Sequence, residues 1–462
     1  MENKKGKGNV RAWTEITGNM VEEAISFSKG YMHFLNQAKT ERESVEYIVE
    51  AAAKHGFIHM DQAEKLEPGG KLYFSYKNKV TALIVVGNQS VKNGINLVVS
   101  HLDSPRLDLK ANPLYEADGL ALFKTHYYGG IKKYQWLSMP LALHGVIVKK
   151  DGNTIRVNIG EREDDFVLTI SDLLPHLAKD QMNKKMSEAV TGEGLNIIVG
   201  NRALNSDDEG IKQNIIRILE DRYEIDVKDF TSAELQLVPA YKAREVGFDR
   251  SMVGAYGQDD RVCAYTSLQA ILEVNQPNRT AICLFVDKEE IGSVGNTGLQ
   301  SLLLENLVVE LLHKEGISDY YSVRHSLANS HCLSADVNAA IDPNYPEVFE
   351  KLNNSFLGNG VVLTKFTGSR GKSESNDAHP EYLGRLRKLF DDHGVVWQTG
   401  ELGKVDIGGG GTVAQYVARY GAEVVDCGVA ILGMHSPFEI ASKADIYAAY
   451  KAYKAFMQSF IP

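Results

Sequence analysis

Two histidines and a group of carboxylates stand where apolar runs of this chain give out or a helix opens, and they are residue types that hold and use divalent metal ions. His101-Leu102-Asp103 follows the run Ile95 to Ser100, and Asp287-Lys288-Glu289-Glu290 follows Thr280 to Val286. Asp336 leaves the stretch Cys332-Leu333-Ser334, and His435 closes the run Ala422 to Leu432 within Gly433-Met434-His435-Ser436-Pro437. Asp259-Asp260-Arg261 stands directly before a helical pattern that opens at Val262. Ligands of open α/β sheets bind beyond the carboxyl ends of strands, so a site is expected at such positions. The spacing lets Asp103 accept a bond from the His101 imidazole N–H and fix its tautomer. Adjacent Glu289 and Glu290 repel each other, and a metal bound by one with a water activated by the other supplies a reason for the pair.

Taken singly, each feature has an ordinary reading. His101 is then a loop histidine, the Asp-Lys-Glu-Glu run a solvated acidic turn, and Asp259 or Asp260 a helix cap. As a set they match two zinc-like ions sharing one bridging carboxylate, about 3.5–4 Å apart, which polarise a water and a carbonyl together. A metallohydrolase is the chemistry this set expects.

The elements that must position these residues are legible in part. Thr40-Glu41-Arg42-Glu43 has the form of a capping box, with Val45, Ile48, Val49, Ala52 and Ala53 at helical spacing behind it and Gly56 as a stop. Nearly continuous apolar runs at Val80 to Val86, Ile95 to Val99, Thr280 to Val286, Val395 to Gln398 and Ala422 to Leu432 predict strands buried on both faces. Helical patterns cover Val262 to Leu272, Glu381 to Phe390, Thr412 to Tyr420 and Ser442 to Phe460, the last opening with a second capping-box pattern, Ser442-Lys443-Ala444-Asp445. The expected fold is α/β, a mixed sheet sandwiched by helices. Residues 111–250 read differently: Val146-Ile147-Val148, a turn at Asp151-Gly152-Asn153 and Ile155-Arg156-Val157 signal a hairpin. The expected organisation is a catalytic domain in two parts, 1–110 and 251–462, interrupted by an inserted β-rich domain at 111–250.

Composition narrows the class further. A net charge of -10 argues against a nucleic-acid partner, which needs clustered Lys and Arg. No apolar h-region follows the polar start Met1 to Lys7, and no apolar run reaches the roughly 18 residues of a membrane span, so neither a signal peptide nor a membrane anchor is expected. Cys263, Cys283, Cys332 and Cys427 lie far apart and form no C-x-x-C pair, which suggests neither a disulfide framework nor a thiolate zinc site and fits a reducing cytoplasm.

The segments HLDSPRLDLK (His101 to Lys110), GQDDRVCAYTSLQA (Gly257 to Ala270), VDKEEIGSVG (Val286 to Gly295), SADVNAAIDPNY (Ser334 to Tyr345) and GMHSPFE (Gly433 to Glu439) resemble, in this order, the aspartyl aminopeptidase family of zinc metallopeptidases. The resemblance implies a zinc exopeptidase-like fold whose β-rich insertion is a dimerisation domain, and assembly of dimers into a homododecamer. It implies two divalent ions per subunit, zinc or in its place cobalt or manganese. By it, His101 and Asp336 hold one ion, Glu290 and His435 the other, Asp259 bridges, Asp103 orients His101 and Glu289 is the catalytic base. The implied reaction releases the N-terminal residue of a peptide, with acidic side chains met by Arg370 or, second, Lys372. Two departures stand out. Asp259-Asp260 replaces the Asp-Asn of the family's eukaryotic branch. Pro175-His176-Leu177-Ala178-Lys179-Asp180 keeps one histidine but has Asp180 where that branch has the histidine that reaches a neighbouring active site, so His176 is the remaining candidate. The alternatives are a two-metal deacylase or carboxypeptidase-like amidohydrolase, and a non-catalytic assembly scaffold, which would not need an intact ligand set.

Overall fold

The computed structural model describes residues 12–16, 19–204 and 210–462; the polar segment Met1 to Lys7 lies outside them. The chain divides into two compact units. One comprises Met1–Asp103, Ala243–Met434 and Phe438–Pro462; the other comprises Ser104–Lys242 with His435–Pro437.

The first unit is built on a nine-stranded sheet in the order Ile58–His59, Lys71–Tyr76, Val80–Val85, Ala281–Val286, Asn96–His101, His331–Ser334, Glu423–Gly428, Val361–Thr364, Trp397–Thr399. Four central strands, Ala281–Val286, Asn96–His101, His331–Ser334 and Glu423–Gly428, run parallel. Antiparallel strands flank them on both sides. Every residue of Val80–Val85, Asn96–His101 and Ala281–Val286 is buried, as continuous apolar runs require. Alternation divides them between two cores. Val98, Cys283 and Phe285 pack with Tyr31, Phe34, Leu268, Tyr382 and Tyr453 from helices on one face. Leu97, Val99, Ile282 and Leu284 pack with Leu304, Val308, Leu311 and Val323 on the other. The fold is therefore an α/β sandwich with a mixed sheet.

Particular elements depart from the sequence pattern for identifiable reasons. The run Ala422 to Leu432 is not one strand. It forms Glu423–Gly428 in the nine-stranded sheet and Ala430–Leu432 in a separate five-stranded sheet with Arg244–Val246, Met252–Ala255, Glu439–Ser442 and Asn338–Ala339. The break falls beside Gly428, where a Cβ would lie 1.8 Å from the Asp336 carbonyl oxygen. The helix expected over Thr412 to Tyr420 is shortened to Ala414–Ala418, and the strand at Val395 to Gln398 is Trp397–Thr399.

The two capping-box patterns also part ways. Thr40 and Glu43 exchange both bonds at the start of helix Glu41–Lys54, with Glu43 N to Thr40 Oγ1 at 3.3 Å and Thr40 N to Glu43 Oε2 at 3.1 Å. Ser442 precedes helix Lys443–Ser459 but makes no side-chain cap bond. The carboxylate of Asp445 accepts instead from Gly358 N and Gly360 N, both at 2.6 Å, and so clamps a distant loop.

The second unit carries a six-stranded antiparallel sheet in the order Thr154–Ile159, Leu141–Val148, Ala233–Pro239, Arg106–Ala117, Leu120–Tyr128, Ile197–Gly200. The hairpin read from Val146 to Val157 is present, with Val146 opposite Arg156 and Ile147 opposite Ile155. Helix Gly210–Tyr223, amphipathic but not anticipated, packs Ile211 and Ile215 inward.

Burial pushes the Asp445 carboxyl up to about 7, against the pull of its two backbone donors. This lies above the value of about 3.9 for an unfolded Asp, so the folded chain binds the extra proton between roughly pH 4 and 7. The residue's contribution to stability is complete below that window and is lost as pH rises through it. Thermal unfolding followed from pH 5 to 7 should therefore show a flatter fall in Tm for Asp445→Asn than for the natural chain. Parallel slopes would mean that the carboxyl titrates alike in both states.

Candidate metal centre

The parallel strands bring three of the segments that carry sequence candidates to one edge of the sheet. Val286 pairs with His101, and Ser334 pairs with Val99, so the turn Asp287 to Glu290, His101 and the segment carrying Asp336 leave the sheet side by side. Asp259 arrives at the start of helix Gln258–Leu272, where it and Asp260 have non-helical φ and ψ. Gln258 anchors this segment: its Nε2 donates to Val253 O at 3.1 Å and Glu439 O at 2.6 Å, and its Oε1 accepts from the Tyr31 hydroxyl at 3.1 Å. Arg261, wholly buried, donates from Nε to Gly257 O at 2.9 Å and from a terminal nitrogen to Ala38 O at 2.6 Å. Gly257 has φ of 69°, and a Cβ there would strike the Arg261 guanidinium.

At the centre, His101 Nε2 lies 3.2 Å from Asp259 Oδ1, 3.9 Å from Asp336 Oδ1 and 4.0 Å from Glu289 Oε2. Two sets of ligand atoms come within 4.8 Å of one another: His101 with Asp259 and Glu290, and His101 with Glu289 and Asp336. His101 Nδ1 is 2.9 Å from the Asp103 carbonyl oxygen and 3.4 Å from its carboxylate. That carboxylate has a further task. Its Oδ1 accepts from Glu289 N and its Oδ2 from Glu290 N, each at 3.1 Å, so both oxygens grip the turn that carries the glutamate pair.

The electrostatics follow from burial. Desolvation, then repulsion from Glu289, raises the Asp336 carboxyl well above the ordinary range, and desolvation with repulsion from Asp336 does the same to Asp260. Desolvation pulls the His101 imidazolium down, but the bonds to Asp103 and Asp259 overcome it and the net shift is upward. Buried anions crowded on one imidazole repel one another unless a cation lies among them. Carboxylate oxygens with imidazole nitrogen are donors that zinc, cobalt and manganese accept. The residues present fit a divalent metal.

The remaining candidates are not members of these two sets. His435 falls in the second unit, with Nδ1 2.9 Å from Gly130 O, and neither ligand set includes it. His176 is exposed on the short turn Pro175–Leu177, and Asp180 is exposed on Lys179–Met182. Arg370 is exposed at φ of 51°, while Lys372 pairs with Asp377 at 3.0 Å and stands 3.8 Å over the Phe366 ring. Two participants were not anticipated. Asp260 Oδ2 accepts from His101 N at 3.3 Å, and Glu439 Oε2 accepts from Asp259 N at 3.1 Å. The adjacent Asp259-Asp260 pair hinted at the first; no local spacing ties Glu439 to a residue 180 positions away.

A carboxylate-rich, histidine-containing centre at the carboxyl edge of a mixed α/β sheet defines a metal-dependent hydrolase. The profile of the family described as "Aminopeptidase I zinc metalloprotease (M18)" matches residues 34–457. A relative from Clostridium acetobutylicum named "Probable M18 family aminopeptidase 1" is 49% identical over 97% of this chain and 98% of its own length. An M18 aminopeptidase structure from Thermotoga maritima superposes with a TM-score of 0.95 at 46% identity, covering 98% of this chain and all of that one. The S. cerevisiae mApe1 dodecamer gives 0.74 at 23% identity, over 95% of this chain and 97% of that one. The chain belongs to the M18 family of metallo-aminopeptidases, hydrolases that remove N-terminal residues from peptides.

Asp103→Ala removes both acceptors that hold the Glu289 and Glu290 amides. Hydrogen bonds to charged groups contribute about 1.5–3 kcal/mol each, so kcat/KM on an amino-acyl amide should fall by at least about tenfold. An unchanged value would mean that the turn keeps its place without this grip.

Proposed function

We propose that His101 and Asp336 hold one divalent ion and Glu290 and His435 a second, with Asp259 bridging them and Glu289 as general base. The convergence of Asp259, Asp336 and Glu289 on His101 Nε2 supports this reading most directly. His435 enters it through sequence resemblance alone. Bound there, two ions, zinc or in its place cobalt or manganese, would acidify a water and polarise the scissile carbonyl.

The chain's own residues then have distinct tasks. Glu289, set in its turn by Asp103, takes a proton from the attacking water and returns it to the leaving amine. Glu439 and Asp260 hold the backbones of Asp259 and His101, which keeps these side chains aimed while charge is redistributed. Glu289→Gln should lower turnover by at least about 10²-fold with metal content near that of the natural chain. Near-normal turnover, or loss of bound metal, would remove Glu289 from the role. Release of free residues from unblocked peptides, with no action on acylated ones, separates this reading from a deacylase.

For the acidic preference, Arg370 is the stronger candidate. It is exposed, whereas Lys372 is engaged by Asp377 and Phe366. A guanidinium also suits bidentate pairing with a side-chain carboxylate. Arg370→Ala should lower kcat/KM for aspartyl and glutamyl substrates by about 2 kcal/mol and leave leucyl substrates nearly unchanged. Equal losses on both classes would show a general structural role.

The second unit is read as the dimerisation domain of a cytoplasmic homododecamer, with His176 directed to a neighbouring subunit. The exposed apolar side chains Phe166, Leu177, Met182 and Met186 of that unit support self-association. The yeast dodecamer, at 23% identity, carries the likeness of fold alone. Among the described residues no helix is long and apolar enough to cross a membrane.

A further inference from the structure

The turn that carries Glu289 and Glu290 is gripped by Asp103, and its root is tied into a largely buried row of charges. Strand Val80–Val85 runs antiparallel to Ala281–Val286, with Phe285 opposite Thr81. Continuing that register places Lys79 opposite Asp287. Lys79 Nζ lies 3.0 Å from Glu41 Oε1 and 3.8 Å from Asp287 Oδ2, and Lys288 Nζ lies 3.5 Å from the same Asp287 oxygen. Glu41 is fully buried, Asp287 is 1% exposed and Lys79 9%. Asp287 in turn accepts from Lys288 N at 2.9 Å and from the Thr297 hydroxyl at 2.8 Å, while its own N–H donates to Thr297 O at 3.3 Å. Lys288 Nζ donates to the same Thr297 hydroxyl at 2.9 Å. Two anions and two cations thus alternate from the first residue of helix Glu41–Lys54 to the root of the glutamate turn.

Such a row is a poor device for stability. Taking charges out of water costs as much as their attraction returns, and apolar side chains of similar volume often do as well. What the row does supply is direction: it fixes the Asp287 side chain, and with it the point from which the next three residues leave the sheet. We propose that Lys79, held by Glu41, is a positioning residue for the reaction, acting through Asp287 on the placement of Glu289. This rests on Glu289 being the general base.

Lys79→Met alone removes the cation between two buried carboxylates and tests folding as much as catalysis, so the decisive protein is Glu41→Gln/Lys79→Met, which removes one charge of each sign. It should unfold near the natural temperature and bind metal normally, yet show kcat on an amino-acyl amide lowered at least about tenfold with little change in KM. Lys79→Arg, which retains the charge, should keep most of the turnover. An unchanged kcat in the double variant overturns the proposal. Placing the double variant in a Glu289→Gln background separates positioning from general damage: if Lys79 works through Glu289, little further loss appears, whereas losses that multiply overturn the proposal. Should Glu289→Gln itself turn over normally, the general-base reading falls, and the claim on the turn is then decided by kcat of the double variant alone.

Discussion

Everything around the centre answers one constraint: several carboxylates must be held close together, out of water, against their mutual repulsion. Asp259, Asp336 and Glu289 all lie within 4.0 Å of a single imidazole nitrogen. Anions so placed separate if their backbones can move, so the backbones have to be fixed independently of the side chains. The structure does this with a second set of carboxylates. Asp103 takes the amides of Glu289 and Glu290, Asp260 takes that of His101, and Glu439 takes that of Asp259. His101, Asp259, Glu289 and Glu290 are each held by their N–H, which leaves their side-chain directions to be set by the centre. Charge-assisted bonds of this kind are about twice as strong as neutral ones, which suits them to holding like charges in place.

The sheet supplies the rigidity on which that arrangement stands. Strands with both faces buried in separate cores cannot slide by one residue without moving an entire set of side chains from one core to the other. The register of Val286 with His101 and of Ser334 with Val99 is therefore firmly specified, and so is the relative height at which the acidic segments leave. The same packing explains a glycine. Gly428 lets the strand Glu423–Gly428 pass against the Asp336 backbone at a distance no side chain tolerates, and the chain then turns into a second sheet.

Much of this was legible in the sequence because strand ends are local features. Apolar runs that stop at His101, at Asp287 and before Asp336 mark both the strands and the edge where the imidazole and the carboxylates gather. The pairing of Asp103 with His101 was read from spacing, but the larger duty of the Asp103 carboxylate, toward residues 186 and 187 positions away, has no local signature. Glu439 and Lys79 escaped for the same reason. The run Ala422 to Leu432 misled because hydrophobicity is blind to close backbone approach; it continues through Gly428 although the strand does not.

The two capping-box patterns show how far a local rule reaches. Thr40-Glu41-Arg42-Glu43 and Ser442-Lys443-Ala444-Asp445 both put a hydroxyl before the helix and a carboxylate three residues on. In the first, the Glu43 side chain bends back to the amide of Thr40. In the second, the carboxylate is buried and meets two amides of the Gly358 to Gly360 loop. A helix start offers the side chain one backbone donor, while the loop offers two, and a buried polar group gains most where it is satisfied most fully. Glu41 belongs to the same logic from the other direction. It is the first residue of a properly capped helix, yet its side chain turns inward to Lys79 because that buried cation needs an anion more than the helix end does. In both cases the buried side chain takes the partner that satisfies it most fully, and the Glu41–Lys79 pair leads through Asp287 to the turn that carries the glutamate pair.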